Sequence, residues 1–168
     1  NTVKTSVFDK DAVNAINYIL QKNSDLVLST NSLSDELSDL GRDYNRHKEI
    51  AGDLEKSAKE IGQLTLLMSI GEDENVQERL KIERIKFEVG IQKLLGIPTK
   101  EFDVESIGQK PEELIQIPRE NSSELRKLDP LWEALQTKIT ILEERTLLSP
   151  DFNSIKNEMH GQKIILFS

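Results

Sequence analysis

The sequence predicts an all-α, elongated fold built on one long heptad-repeat helix spanning about residues 12–70. The first observation behind this is an unbroken 4-3 spacing of mostly apolar residues: Ala12, Ile16, Ile19, Asn23, Leu26, Thr30, Leu33, Leu37, Leu40, Tyr44, His47, Ala51, Leu54, Ala58, Ile61, Thr65 and Met68. That run amounts to roughly eight heptads of a coiled-coil seam. The second is composition. Only 5% of the chain is aromatic, which suits seams filled by Leu, Ile and Ala better than a β-sandwich or barrel. The third is that the remaining apolar residues fall in shorter runs bounded by Gly, Pro and capping residues, as shorter packed helices would require.

The first helix has a start signal in Asp9, an N-cap residue, with Phe8 and Val13 placed to form a hydrophobic staple across it. Its one local objection is Ser29-Thr30-Asn31-Ser32, a cluster of residues that prefer caps and turns. Because the register is the same on both sides of that cluster, a continuous helix is expected, the alternative being two helices divided near Asn31. Gly41, Gly52 and Gly62 each cost up to about 1 kcal/mol of helix propensity relative to Ala. Stability must therefore come from burying the seam.

Gly71 ends this helix, and residues 72–75 lead into a second one over 76–95, stopped by Gly96 ahead of Pro98. Its apolar residues occupy more than one face, which predicts a helix sandwiched between neighbours. It is expected to fold back on the end of the first helix, where Ile50, Leu64, Leu66 and Leu67 lie off the narrow seam.

Residues 97–123 lose periodicity and carry Pro98, Gly108, Pro111 and Pro118. Phe102, Val104, Ile107, Leu114, Ile115 and Ile117 are too many apolar residues for a solvated linker, so an ordered connection lying along a helical surface is expected. Pro111 is expected to open one short helix within it. A further seam, Leu125, Leu128, Trp132, Leu135, Ile139 and Leu142, marks a helix over 124–148 that starts or kinks at Asp129-Pro130. A short last helix over 150–160 carries Phe152, Ile155 and Met159.

At about 1.5 Å per residue the first helix would reach roughly 85 Å, and the two later ones about 30 Å each. They cannot cover it. The expected arrangement is a small bundle around its C-terminal half, with the N-terminal half left to pair with a second chain. The whole reads as one elongated module, and the lack of an initial Met together with the apolar run 164–167 suggests a piece of a larger protein.

A net charge of -8 disfavours broad binding to nucleic acid or to anionic lipid, and the absence of cysteine removes disulfides, thiolate metal sites and thiol nucleophiles. No apolar run approaches the roughly 20 residues of a membrane span, so membrane insertion is not expected and a cytoplasmic location is the working assumption. His47 and His160 lack a second ligand at metal-binding spacing. The many carboxylates sit beside no phosphate-cradling loop or activated nucleophile. No catalytic, cofactor-binding or metal-binding residue is assigned, and an enzyme is not expected. Asn121-Ser122-Ser123 matches a glycosylation sequon, but Ser122 and Ser123 read more simply as helix caps.

The residues assigned to interaction are therefore those of the seam: Ile16, Ile19, Asn23, Leu26, Leu33, Leu37, Leu40, Tyr44 and His47. Trp132 joins them, as either a core anchor or a docking residue. Asn23 in an a position would fix the register of a parallel dimer, in which His47 at a d position would face its own copy. The function expected is a structural protein–protein interaction module. It would be a scaffold, tether or cytoskeletal adaptor segment that pairs with itself as a parallel dimer or with another coiled-coil protein. Its bundle end and the 102–117 connection would offer a docking surface. The alternative is a secreted or surface-exposed bacterial helical-bundle domain that binds a host factor or small ligand.

Overall fold

The computed structural model describes residues 9–72, 74–98 and 103–145. Those residues form four α-helices: α1 (Lys10–Leu37), α2 (Asn45–Ser69), α3 (Val76–Leu95) and α4 (Ser123–Glu144). Asp9 caps α1 as its sequence position predicts, its Oδ1 accepting from the backbone N–H groups of Asp11 (2.9 Å) and Ala12 (3.1 Å). Phe8, the other half of the expected staple, lies outside the described residues, as does the expected short helix over 150–160.

The continuous helix over 12–70 is not formed. The chain passes through Ser29–Ser32 as helix, with the Thr30 hydroxyl turned back onto the Val27 carbonyl at 2.7 Å. It breaks instead at residues 38–44, where Ser38, Asp39 and Gly41 bring three poor helix formers within four residues. There the Ser38 hydroxyl and N–H both bond the Asp35 carbonyl, and the Lys48 ammonium holds the Leu40 carbonyl. The chain then doubles back. Asn23 on α1 donates to the carbonyl of Ala58 on α2 (2.8 Å), so the two halves of the seam cover each other as an antiparallel hairpin. Helices of 28 and 25 residues reach about 42 and 37 Å, which removes the length mismatch and with it the need for a second chain.

Both glycine stops behave as their positions predict. Gly71 (φ 87°) and Gly96 (φ 75°) adopt the left-handed conformation. In each case the following N–H reaches five residues back, Glu72 to Leu67 and Ile97 to Gln92, closing a Schellman cap.

α3 runs antiparallel to α2, placing Gly90 against Leu54 and Arg79 near Glu60. α4 returns antiparallel to both α3 and α1. Gln77 at the start of α3 donates to Leu142 at the end of α4, while Arg145 reaches Asp11 at the start of α1. α1 and α3 each pack on α2 and α4, and the result is an up-down-up-down bundle with a single core drawn from all four helices. The seam foreseen for α4 is buried throughout, and α4 carries Pro130 inside it rather than starting there. The cap expected from Ser122 comes from elsewhere: the Glu36 carboxylate of α1 accepts the Ser123 hydroxyl and the Glu124 N–H.

α3 is enclosed on both sides, as its two apolar faces require. Leu80, Phe87, Ile91 and Leu94 belong to the core, whereas Val89 is buried on the far side, on which the short 3-10 turn Val104–Ile107 packs. The connection after that turn has no regular secondary structure as far as residue 118, so the helix expected at Pro111 does not form. A second 3-10 turn, Arg119–Asn121, follows Pro118 instead.

Candidate interaction surface

Seven of the ten residues assigned to interaction are core residues of this fold: Ile16, Ile19, Leu26, Leu33, Leu37, His47 and Trp132 are all buried. Asn23, Leu40 and Tyr44 are half-buried. The seam side chains are thus spent inside the chain, because the hairpin gives each half of the seam the other half to pack on. Asn23 does set a register, but that of an antiparallel pair within one chain. Its amide lies against the Cα of Gly62, where a Cβ would come within 2.3 Å of Asn23 Oδ1.

His47 faces the 103–118 connection and not a copy of itself. Its Nε2 donates to the Ile115 carbonyl at 2.7 Å, and its buried Nδ1 has no hydrogen-bond partner among the described residues. Trp132 is fully buried, tilted against Phe87 with ring centroids 4.2 Å apart, and its Nε1 donates to Glu88 at 2.9 Å. That makes it a core anchor. Asn121 of the sequon donates to the Glu36 carbonyl (3.0 Å), tying the second 3-10 turn to the end of α1. Among the described residues no cluster of His, Cys, Asp and Glu is placed to hold a metal ion, and no helix is long and apolar enough to cross a membrane.

What the fold leaves open is a cleft of about 700 Å³ between α2, α3 and the 107–112 stretch of the connection. Its floor is Ile50, Leu54, Ser57 and Gly90. Gly90 has a packing reason: a Cβ there would meet Leu54 Cδ2 at 2.7 Å, so its hydrogen lets α2 and α3 approach. The walls and roof are mostly charged.

At one end of the cleft Glu112 sits between two cations. Arg46 from the first turn of α2 grips it with a two-pronged fork, Nε to Oε2 at 2.8 Å and Nη2 to Oε1 at 2.7 Å. Lys93 from α3 adds Nζ to Oε1 at 2.9 Å and also reaches Gln109 at 3.3 Å. The Arg46 fork, reinforced by Lys93, holds the Glu112 carboxyl down at about 2. The same fork raises the pKa of Arg46.

Lys93 is 2% exposed, a charge that only its pairing makes tolerable at that depth. Reading the sequence for heptads and motifs missed this group. The available signal was one lysine amid the apolar residues Val89, Ile91, Leu94 and Leu95, near an acidic pair just after Pro111. No protein family, curated protein or solved structure matches the chain.

Proposed function

We propose that this chain is a structural protein–protein interaction module, of the scaffold, tether or adaptor kind, and that its docking surface is the α2/α3 cleft rather than the heptad seam. One observation carries the reading: the seam is buried against the chain's own helices, while the cleft stays open beneath the 107–112 stretch. Self-pairing is not needed to bury Ile16, Ile19, Leu26, Leu33 or Leu37.

The volume alone would suit a small ligand, since such pockets run from about 300 to 1,000 Å³. Those pockets, however, are lined mainly by apolar and aromatic side chains. This one is walled by Arg, Lys, Asp and Glu. Charged walls over a narrow apolar floor fit a segment of polypeptide better, because a partner's side chains can match charge while its backbone and aliphatic carbons meet the floor.

Selection of a displayed random peptide library against the bundle tests this. Selected peptides are expected to bind Lys56→Glu and Lys86→Glu at least tenfold more weakly than the native chain, and to bind Leu28→Asp unchanged. Leu28 lies exposed on α1 and does not line the cleft. Failure to enrich any peptide, or equal binding to the cleft variants, overturns the proposal.

A further inference from the structure

We infer that Glu112 is an internal stand-in for a carboxylate of the partner, and that an acidic peptide segment entering the cleft displaces it from Arg46 and Lys93. The inference rests on reading the cleft as a docking surface and adds the chemistry of what docks.

Three features of the site support it. Lys93 is buried in α3, yet both of its polar partners, Gln109 and Glu112, belong to the connection and neither to a bundle helix. The bundle thus presents a two-cation seat, Arg46 and Lys93, that is complete without the connection and is filled by it. A carboxylate from another chain would meet the same fork geometry and leave neither cation without a counter-charge.

Next, the stretch that supplies Glu112 is held at its flanks and has no buried residue between them. Val104 and Ile117 are buried anchors, and His47 holds the Ile115 carbonyl. Gly108 between them is left-handed (φ 78°), with nothing within 4 Å of where a Cβ would stand. Residues 110–113 make no backbone hydrogen bond among the described residues, so they can lift without unseating either anchor.

Finally, the charges left over favour an anion. Glu49, Glu60 and Glu83 of the lining already face Arg46, Arg79 and Lys86. Lys56 and Lys110 make no ion pair among the described residues, against Asp53 alone of the acids. An acidic segment seated on Arg46 and Lys93 would extend past both free lysines, whereas a basic one would have to displace a cation from its own partner.

The test is a titration of isotope-labelled protein, followed by amide NMR, with acetyl-hexaglutamate amide as probe and acetyl-hexaglutamine amide as control. Glu112→Gln removes the internal competitor and is expected to bind the acidic probe at least tenfold more tightly than the native chain. Adding Arg46→Gln to it should abolish the gain. In the native chain the bound probe is expected to perturb the amides of 107–113 and leave those of 125–142 unmoved. Glu112→Asp, whose shorter carboxylate loosens the fork, should shift affinity in the same direction by less, and it serves if the Gln variant does not fold. Equal affinity of native and Glu112 variants, equal binding of the two probes, or perturbation confined to other surfaces overturns the inference. If the library selection yields cleft-dependent peptides without acidic residues, the docking reading stands and this inference alone falls.

Discussion

Gly52 and Gly62 lie on the same helix, ten residues apart, and the same substitution at each should have opposite effects. Replacing a helix-interior glycine by alanine stabilises by about 0.5–1 kcal/mol through backbone entropy. At Gly52 nothing lies within 4 Å of the new Cβ, so Gly52→Ala should realise that gain. For a chain of this length it corresponds to a rise in melting temperature of about 1–4 °C. At Gly62 the Cβ would stand 2.3 Å from Asn23 Oδ1, 2.6 Å from Cγ and 2.8 Å from Nδ2. Asn23 must then rotate away and give up its bond to the Ala58 carbonyl, a loss of about 1 kcal/mol, on top of an overpacking cost of about 1–3 kcal/mol. The loss exceeds the propensity gain, leaving Gly62→Ala less stable by about 1–3 kcal/mol. Thermal and urea melts by far-UV circular dichroism measure both. The cycle is closed by Asn23→Ala: in that background Gly62→Ala should become stabilising, with a coupling of about 2 kcal/mol. A Gly62→Ala variant as stable as Gly52→Ala in the native background would refute the α1/α2 register described above.

Trp132→Ala should cost about 3–5 kcal/mol, lowering the melting temperature by roughly 6–20 °C. Trp132→Phe keeps a ring against Phe87 but loses the bond to Glu88 and part of the buried volume, so about 2 kcal/mol is expected; a Trp132→Ala protein that melts like the native one would place this side chain outside the core. Glu112 is held at about 2, below its ordinary 4.5, so its contribution is complete above pH 4.5 and is lost as pH falls toward 2. Glu112→Gln should therefore be less stable than the native chain at neutral pH and converge on it between pH 4.5 and 2, and a stability difference independent of pH across that window would contradict the assigned pairing.

The helices themselves were legible because capping and burial are local or periodic. Asp9, Gly71 and Gly96 mark ends by the backbone conformations they permit, and the six apolar residues of α4 recur at the spacing of one buried face. The break at residues 38–44 was not legible from the seam, since Leu37, Leu40, Tyr44 and His47 keep the 3-4 spacing straight through it. A hydrophobic period records which residues are buried. It carries no information on whether their partner is another chain or the same chain folded back. The Arg46, Lys93 and Glu112 group was hidden for a related reason: its members are 19 to 66 residues apart and meet only once α2, α3 and the connection are in place.

That ambiguity yields a direct test of why the bundle closes on itself. In the triple variant Ser38→Ala, Asp39→Ala, Gly41→Ala, three residues of the break become strong helix formers, favouring a continuous helix by about 2 kcal/mol per chain. Gly41 has open space around its Cα, and Asp39 is exposed, so neither change introduces a clash. A continuous α1–α2 rod of roughly 90 Å could not fold back, and its α1 would pack on the α2 of a second copy through the same side chains now buried within one chain. A hairpin closed by a short connection competes with such an exchange at an effective concentration on the order of 1 mM. Two hinges at about 2 kcal/mol each shift the dimer constant by roughly a thousandfold, to about 1 µM. Light scattering at about 100 µM should then find the native chain monomeric and the variant at twice its mass. A variant that stays monomeric with a native melting temperature would show that the reversal is imposed by the contacts of Lys48, His47 and the connection, and not by the low helix propensity of residues 38–41.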